Sequence, residues 1–208
     1  MPRIHRRTRV MIMLLGPPLI LSVASALCAQ NTTIDSFNQA KKRMVEVFAS
    51  RETTFYCGCA YTGKDIDLAS CGYQPRKDAR RARRLEWEHV VPAHAFGQAF
   101  TEWREGHPDC VDRKGKPFKG RNCARKRVKL FRLMEADLYN LQPAIGEVNG
   151  LRSNFSMEMI PGEKREFGDC DIEIENHKVE PRPEIRGALL WDSGVLCFDM
   201  ARSSQLIF

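Results

Sequence analysis

The stretch Glu86-Trp87-Glu88-His89-Val90-Val91-Pro92-Ala93 places a carboxylate directly beside an imidazole in a segment that is otherwise largely apolar. Its composition predicts a short extended segment from Leu85 to Pro92, which Pro92 ends. Because side chains alternate along a strand, Glu88 and His89 face opposite sides unless the strand ends or turns here. Taken alone, such a pair is usually an ordinary feature of an edge strand.

A second polar stretch lies about fifty residues further along the chain. It reads Tyr139-Asn140-Leu141-Gln142-Pro143-Ala144-Ile145-Gly146-Glu147-Val148-Asn149-Gly150-Leu151-Arg152-Ser153-Asn154. Locally, Asn149-Gly150 is a turn signal and Asn140 is suited to capping a neighbouring element. A brief apolar run from Leu141 to Ala144 is interrupted by Pro143. By themselves these patterns assign no function.

The flanking sequence predicts helices and short strands in one domain. Thr33 to Arg51 carries apolar residues at near-helical spacing, which predicts an amphipathic helix. Arg125 to Tyr139 predicts another helix, with a strongly basic first half. Thr54-Phe55-Tyr56-Cys57 favours a short strand pinned by a disulfide. Gly106 to Gly120 is typical of an exposed loop, which Cys110 and Cys123 are placed to close.

The amino terminus has the features of a signal peptide. Four arginines precede an apolar stretch from Val10 to Val23, and the small residues Ala24-Ser25-Ala26 follow. The stretch is interrupted by prolines and is shorter than the ~20 residues of a membrane span. We expect residues 1–29 to be removed, with cleavage after Ala26 or after Ala29. The mature chain is then expected to be soluble, without a membrane partner.

Seven cysteines follow the signal peptide: Cys57, Cys59, Cys71, Cys110, Cys123, Cys170 and Cys197. In an exported protein they are first of all candidates for disulfides. A zinc site is a less favoured alternative, because Cys57-Gly58-Cys59 has too short a spacer and no matching second pair follows. Because seven is odd, either one thiol is free or Cys28 is the eighth partner.

The positive charge of the chain is concentrated in its middle. The net charge of +7 falls to +3 without the four arginines of the signal peptide, so the total is ordinary. From Arg76 to Arg132, however, 17 Lys or Arg stand against 7 Asp or Glu. Such a block is usually a solvated surface. Here it brackets the Glu88-His89 pair, which favours a polyanionic ligand.

Together, the two polar stretches resemble the periplasmic endonuclease I family, secreted sequence-nonspecific bacterial nucleases built on a ββα-metal finger. The motifs that carry the likeness are Thr54-Phe55-Tyr56-Cys57-Gly58-Cys59, Trp87-Glu88-His89-Val90-Val91-Pro92-Ala93, Gly120-Arg121-Asn122-Cys123 and the run from Ala136 to Phe155. The likeness covers roughly Ser36 to Ala188. It implies an α+β fold, with mixed helices and short strands around the finger, stabilised by disulfides, and a nuclease domain over residues 30–188. Residues 189–208 are expected to form a divergent tail, with a shortened or a frame-altered end as the two alternatives.

The resemblance also implies roles for individual residues. Gly146 to Asn154 becomes the helix of the finger rather than a turn. His89 is expected to be the general base, since neutral imidazole accepts a proton near pH 7. Glu88 and Asn149 are expected to bind one Mg²⁺, with other divalent cations as alternatives. Arg121 is expected to hold the scissile phosphate in its planar fork.

Further residues are assigned to support and binding. Asn140 is expected to brace the loop that carries the site. Arg152, one turn beyond Asn149, is expected to touch backbone phosphate. Four basic residues are expected to attract phosphate more generally: Arg125, Lys126, Arg127 and Lys129.

The implied activity is Mg²⁺-dependent hydrolysis of DNA phosphodiester bonds that leaves 5′-phosphate ends, by a periplasmic or secreted monomer. Duplex DNA is the expected substrate, with single-stranded DNA and RNA as further candidates. Sequence preference is expected to be slight, because contacts to phosphate carry no base information. The alternative is a secreted nucleic-acid-binding module without catalysis. That module would keep the basic block but would not need His89 beside Glu88 with Asn149.

Overall fold

The structure is a computed structural model that describes residues 31–162 and 164–185. Helices and short strands are mixed along these ranges, which confirms the predicted α+β fold class. The helices are α1 (Phe37–Val47), α2 (Ala79–Ala82), α3 (Ala93–Gly97), α4 (Thr101–Arg104), α5 (Arg121–Arg127), α6 (Lys129–Glu135) and α7 (Gly146–Arg152). The strands are β1 (Tyr61–Thr62), β2 (Asp65–Ile66), β3 (Leu85–His89), β4 (Leu141–Ile145), β5 (Ser156–Met157), β6 (Ile172–Glu175) and β7 (Lys178–Pro181).

The centre of the fold is a ββα unit made of β3, β4 and α7. β3 and β4 pair antiparallel, with Leu85 opposite Ile145 and His89 opposite Leu141. α7 begins at the residue after β4 ends. Val148 of α7 is buried in one cluster with Ala144 and Ile145 of β4, so the helix packs back onto the sheet it follows. The unit therefore fixes the end of β3 relative to α7.

α7 starts in close contact with the backbone around α2. A Cβ on Gly146 would lie 2.6 Å from the carbonyl oxygen of Arg81 and 2.8 Å from that of Arg84. The amide nitrogen of Gly146 donates to the same Arg84 carbonyl at 2.9 Å. Only glycine leaves room for this approach.

α1 packs beside the end of β3. Its buried residues Ala40 and Met44 form a cluster with Ala136 and Leu141. Because Leu141 lies opposite His89 in the sheet, this packing brings α1 to the carboxyl end of β3. The amphipathic helix expected over Thr33 to Arg51 is present, with observed bounds of Phe37–Val47.

Among the described residues, three disulfides stabilise the fold: Cys57–Cys170, Cys59–Cys71 and Cys110–Cys123. The last closes the loop as the sequence predicts. The first joins residues 113 positions apart and ties the start of the domain to the segment before β6. The predictions for Cys28, Cys197, the signal peptide and residues 189–208 fall outside the described residues. Across the described ranges, no helix is long and apolar enough to cross a bilayer.

Local predictions were wrong in three parts of the chain. The stretch expected to be a strand at Thr54 to Cys57 is a turn, because the chain reverses between Thr53 and Ala60, which pair in an isolated bridge. The single helix expected over Arg125 to Tyr139 is two helices, because Val128 is extended, at φ −110° and ψ 111°. The break lets α5 and α6 bury their apolar residues in one cluster.

The third local error concerns Pro143 and Asn149-Gly150. Pro143 lies inside β4 instead of ending it, which a two-stranded sheet tolerates because each strand has an unpaired edge. Asn149-Gly150 lies inside α7 and is not a turn. The helix expected from the resemblance over Gly146 to Asn154 is therefore present, and it ends at Arg152.

Candidate active site

The end of β3 borders a cleft of about 1170 Å³. Glu88 and His89 both line it, together with Arg121 from α5 and Asn149 from α7. Two neighbours in sequence reach the same cleft because β3 ends at His89, where the alternation of side chains along the strand stops. The fold therefore brings together the residues predicted to act as base, phosphate binder and metal ligands.

The Glu88 carboxylate is almost fully buried at the wall of the cleft. The Tyr56 hydroxyl donates to its Oε1 at 2.8 Å, and Nη1 of Arg152 lies 3.0 Å from the same oxygen. Burial raises the pKa of Glu88 to about 7, although the Arg152 charge and the Tyr56 hydrogen bond act in the opposite direction. A bound cation would favour the charged form of this carboxylate.

The His89 imidazole is buried and held in one orientation. Its Nε2 lies 2.9 Å from the main-chain carbonyl oxygen of Glu135. Since a carbonyl only accepts, Nε2 carries the proton and Nδ1 keeps the lone pair. Burial lowers the pKa of His89 to about 4, which the contact with Glu135 only partly offsets. The ring is therefore neutral at pH 7 and can accept a proton at Nδ1.

Phe37 of α1 packs between two residues of the site. Its ring centroid lies 5.0 Å from that of His89, and the Arg121 guanidinium lies 5.4 Å from the same ring. These contacts restrict the rotation of the imidazole and place a cation over an aromatic face. The apolar periodicity of α1 includes Phe37 but gives no indication of this contact.

Asn149 is oriented by Glu86. Its Nδ2 donates to Oε2 of Glu86 at 3.0 Å. A carboxylate only accepts, so this bond fixes which end of the amide is nitrogen and leaves Oδ1 for another partner. Arg81 and Arg84 both pair with Glu86. Burial raises the pKa of Glu86, but these two arginines outweigh it and lower the pKa below its usual value.

The guanidinium of Arg121 is hydrogen-bonded through Nε but has an unpaired nitrogen, Nη2. Its Nε donates to Oε1 of the buried Glu135 at 2.5 Å, and Nε of Arg125 donates to Oε2 of the same carboxylate at 2.8 Å. Nη2 of Arg121 is buried and has no hydrogen-bond partner among the described residues. An unpaired buried donor at a cleft wall suits an anionic oxygen, such as that of a phosphate.

Asn140 is fully buried and holds the loop after β3. Its Oδ1 accepts from the amide nitrogen of Val91 at 2.7 Å, and its Nδ2 donates to the carbonyl oxygen of Val91 at 3.0 Å. The main-chain oxygen of Asn140 accepts from Val90 at 3.0 Å. These three bonds fix the backbone that leaves His89, so the geometry matches the bracing contact expected from the sequence.

Arg152, which was predicted to touch backbone phosphate, lines the cleft and is bound to the end of β3. The residue is 1% exposed, and its guanidinium is turned inward. Nη1 donates to the carbonyl oxygen of His89 at 2.8 Å and Nη2 to that of Val90 at 2.6 Å, in addition to the ion pair with Glu88. Nη1 and Nη2 therefore hold the end of β3, whereas the buried Nε has no hydrogen-bond partner among the described residues.

The four residues predicted to attract phosphate more generally, Arg125, Lys126, Arg127 and Lys129, do not line the cleft. Arg125 is bound to Glu135, and Arg127 pairs with Asp109 at 2.9 Å. The Lys126 ammonium donates to the main-chain oxygen of Asp109. Lys129 is exposed, and none of the four predicted phosphate-attracting residues lines the cleft. Their expected role in phosphate attraction is limited to the outer surface.

Sequence reasoning missed Tyr56, Glu86 and Glu135. Tyr56 and Glu86 lie inside the quoted motifs, which marked them as candidates. Their contacts were not predictable, because Tyr56 binds Glu88, 32 residues away, and Glu86 binds Asn149, 63 residues away. Glu135 lies in a predicted helix and carries no local signal. Long-range pairing of this kind follows from the fold and not from spacing.

The donor chemistry of the site fits a hard divalent cation. Asn149 presents an amide oxygen and Glu88 a carboxylate on the wall of one cleft, and Mg²⁺ prefers oxygen ligands while keeping several waters. Within the described ranges, no group of three or more His, Cys, Asp or Glu is placed to hold a metal. The two-residue set of Glu88 and Asn149 is smaller than such a cluster, and an ion held there would retain water ligands.

Comparisons with known proteins agree on one family. The family model for Endonuclease I matches residues 22–190. The chain is 39% identical over 192 residues to a protein named periplasmic deoxyribonuclease from Aeromonas hydrophila, covering 88% of this chain and 74% of that protein. It is 38% identical to an extracellular deoxyribonuclease of the same organism, covering 83% and 73%. Identity to Endonuclease-1 of Buchnera aphidicola subsp. Acyrthosiphon pisum (strain APS) is 39%, over 76% of this chain and 60% of that protein. The match spans most of the chain and includes the whole ββα unit, so this protein belongs to the endonuclease I family, as its motifs predicted.

Proposed function

We propose that this protein is a Mg²⁺-dependent, sequence-nonspecific endonuclease that cuts duplex DNA and leaves 5′-phosphate ends. Membership of the family makes it a hydrolase of DNA phosphodiester bonds, periplasmic or secreted like the relatives named above. Single-stranded DNA and RNA are further substrates in this proposal, because the phosphate that Arg121 would bind is common to all three nucleic acids. The active species is a monomer.

The observation that carries the proposal is the orientation of His89. With Nε2 committed to the Glu135 carbonyl, Nδ1 is the basic atom of a neutral imidazole that lines the cleft. A water molecule that attacks the phosphorus gives its proton to Nδ1. The P–O3′ bond then breaks, the leaving 3′ oxygen takes a proton from solvent, and the products are a 5′ phosphate and a 3′ hydroxyl.

Arg121 acts on the phosphate. Its buried, unpartnered Nη2 would donate to a non-bridging oxygen, and Glu135 would keep the guanidinium from turning away. The contact gains strength as negative charge builds up on the phosphate oxygens in the transition state.

Glu88 and Asn149 would hold the metal ion. When bound, Mg²⁺ supplies positive charge that stabilises the phosphate and the leaving oxygen in the transition state. The chain itself keeps both ligands in place: Tyr56 and Arg152 hold the Glu88 carboxylate, and Glu86 holds the Asn149 amide. In this proposal Arg152 is a positioning residue, and Asn140 holds the loop that follows the base.

A nucleic-acid-binding module without catalysis is the alternative of another class. Such a module needs a positively charged surface. It does not need a buried imidazole with one fixed tautomer, such as His89, beside the oxygen donors of Glu88 and Asn149. Because these features meet in one cleft, catalysis is favoured over binding alone.

The deciding experiment compares His89→Ala with His94→Ala. His94 is exposed, lines the same cleft and contacts the Gln98 side chain. Plasmid cleavage would be measured with Mg²⁺ and with EDTA, and DNA binding would be measured in parallel. We expect His89→Ala to lose ~10² to 10⁴ in rate and to keep its binding, while His94→Ala cuts like the wild type. Wild-type cleavage by His89→Ala would refute the assignment of the base, and a wild-type protein that binds but never cuts would establish the binding module.

A further inference from the structure

Two elements that the sequence analysis did not connect with nucleic acid bring positive charge into the cleft. α1 contributes Lys41 and Lys42, and the turn between β1 and β2 contributes Lys64. Lys42 and Lys64 are exposed, and Lys41 is partly buried. They stand apart, along the chain, from the basic block at Arg76 to Arg132.

α1 presents one face to the core and an adjacent face to the cleft. Ala40 and Met44 are buried, whereas the cleft-lining residues of the helix are Phe37, Asn38, Lys41, Lys42 and Val45. These five share a face because they recur at helical spacing. Since Phe37 packs against His89, Lys41 lies one turn of helix, about 6 Å along the axis, from the residue that contacts the proposed base.

The three lysines keep their charge available. Lys41, Lys42 and Lys64 form no ion pair with any residue in the described ranges, although Lys41 Nζ lies 4.9 Å from the centre of the Phe37 ring. By contrast, Arg81 and Arg84 line the same cleft but are paired with Glu86. Charges that no carboxylate neutralises contribute most to the attraction of a polyanion.

Two basic residues of α5, Lys126 and Arg127, have the opposite character. Lys126 and Arg127 are bound to Asp109 and do not line the cleft. A nucleic-acid strand that reaches His89 and Arg121 must enter the cleft. There it meets α1 and the turn between β1 and β2. The residues expected from the sequence to attract phosphate are therefore not the ones closest to the chemistry.

We propose that Lys41, Lys42 and Lys64 bind the sugar-phosphate backbone of the substrate beside the scissile phosphate. The inference rests on the proposed nuclease function and assigns the surface by which that site holds its substrate. Because a lysine on a phosphate reads no base, this surface is compatible with cleavage at any sequence. It binds the nucleic acid about equally in the ground state and in the transition state.

The test uses two triple variants of the full chain. The cleft variant carries Lys41→Ala, Lys42→Ala and Lys64→Ala. The control variant carries Arg43→Ala, Lys114→Ala and Lys116→Ala, which remove the same charge from exposed positions outside the cleft. Binding of a fluorescein-labelled DNA duplex is measured in EDTA across a series of salt concentrations, and cleavage with Mg²⁺ is measured separately.

In the cleft variant, the slope of log affinity against log salt becomes shallower by about one unit per lysine removed. The affinity at low salt falls on the order of 10²-fold. KM rises while kcat is retained, because the lost contacts are equal in the ground state and the transition state. The control variant changes each of these much less.

Two results separate the failure of this inference from that of the function. If the wild type cuts DNA and the cleft variant binds and cuts like the control variant, the lysine surface is wrong and the nuclease function stands. If the wild type neither binds nor cuts duplex DNA, both proposals fall. Thermal melting of each variant, expected to match the wild type, excludes unfolding as the cause of weaker binding.

Discussion

The main-chain carbonyl oxygen of Glu135 lies 2.9 Å from Nε2 of His89. The side chain of the same residue accepts hydrogen bonds from Arg121 and Arg125. One residue at the end of α6 therefore sets both the tautomer of the proposed base and the position of the proposed phosphate-binding arginine. The distance between these two groups depends on Glu135 more than on any local feature of β3.

Glu135→Gln tests this relationship. The main-chain bond to His89 is retained, but glutamine has one acceptor oxygen and no charge, so it cannot hold both guanidinium groups. We expect turnover to fall on the order of 10²-fold through misplacement of Arg121. The free energy of unfolding should fall by about 1–3 kcal/mol. The control is Glu46→Gln, which removes an exposed carboxylate paired with Arg43. Single-turnover cleavage at the wild-type rate in Glu135→Gln would contradict the role.

The same carboxylate predicts a dependence of stability on pH. Burial alone would raise the pKa of Glu135, but the hydrogen bonds from Arg125 and Arg121 outweigh it and lower the pKa below its usual value. A folded-state pKa below the unfolded value, about 4.3, contributes stability that is present above that value and is lost as the pH falls through the folded-state pKa. The difference in unfolding free energy between wild type and Glu135→Gln should therefore shrink below about pH 4. Denaturant titrations at several pH values measure it, and a constant difference would count against the prediction.

Asn149→Ala should raise the Mg²⁺ concentration needed for half-maximal cleavage, because it removes one of few protein oxygens offered to the ion. Glu88 is a less informative target, since its loss leaves Arg152 buried without its partner, a change that costs ~3–5 kcal/mol. Asn154→Ala is the matched control, because Asn154 is exposed and lines the same cleft. Rates are measured against Mg²⁺, and binding of the ion is measured directly by calorimetry. An unchanged Mg²⁺ requirement in Asn149→Ala would place the ion elsewhere.

The proposed site residues had a clearer signal in the sequence than the residues that surround them. Glu88 and His89 carried a visible signal because a carboxylate and an imidazole stand together in an apolar stretch. Both side chains face one cleft because β3 ends at His89. Pro92 indicated that the strand ends nearby but did not define the residue at which it ends. The contacts from Tyr56 and Glu135 join residues distant in sequence, so no local pattern contains them.

The helix of the ββα unit shows where local reasoning fails. Asn149-Gly150 is a strong turn signal, yet both residues lie inside α7. Tertiary packing overrides the local preference, because Gly150 faces the Arg81 guanidinium, which a Cβ would approach to 2.1 Å. Resemblance to the family identified the helix correctly. The same resemblance gave no indication that Arg152 is buried against the carbonyl groups of His89 and Val90.

The disulfides should contribute unequally to stability. Cys57–Cys170 spans 113 residues and Cys110–Cys123 spans 13, while all four cysteines are buried. If the bonds act by restricting the unfolded chain, loops of about 100 and 15 residues correspond to ~4.7 and ~3 kcal/mol. Replacing the Cys57–Cys170 pair with alanines should therefore lower the free energy of unfolding more than replacing the Cys110–Cys123 pair. Equal losses in chemical denaturation would mean that the entropy of the unfolded chain is not the main contribution.

Arg121→Ala should lower turnover more than binding, unlike the loss of the cleft lysines. A donor aimed at the scissile phosphate acts most strongly when charge accumulates in the transition state, so its removal lowers kcat and leaves affinity for DNA nearly intact. One donor of this kind typically contributes ~10²- to 10³-fold in rate. Arg121→Lys should recover little of this, because a single ammonium cannot bind Glu135 and reach the phosphate together. Lys119→Ala, an exposed charge two residues away, is the control. The prediction is tested by measuring single-turnover cleavage and, separately, DNA binding in EDTA. An affinity loss as large as the rate loss would assign Arg121 to general DNA binding.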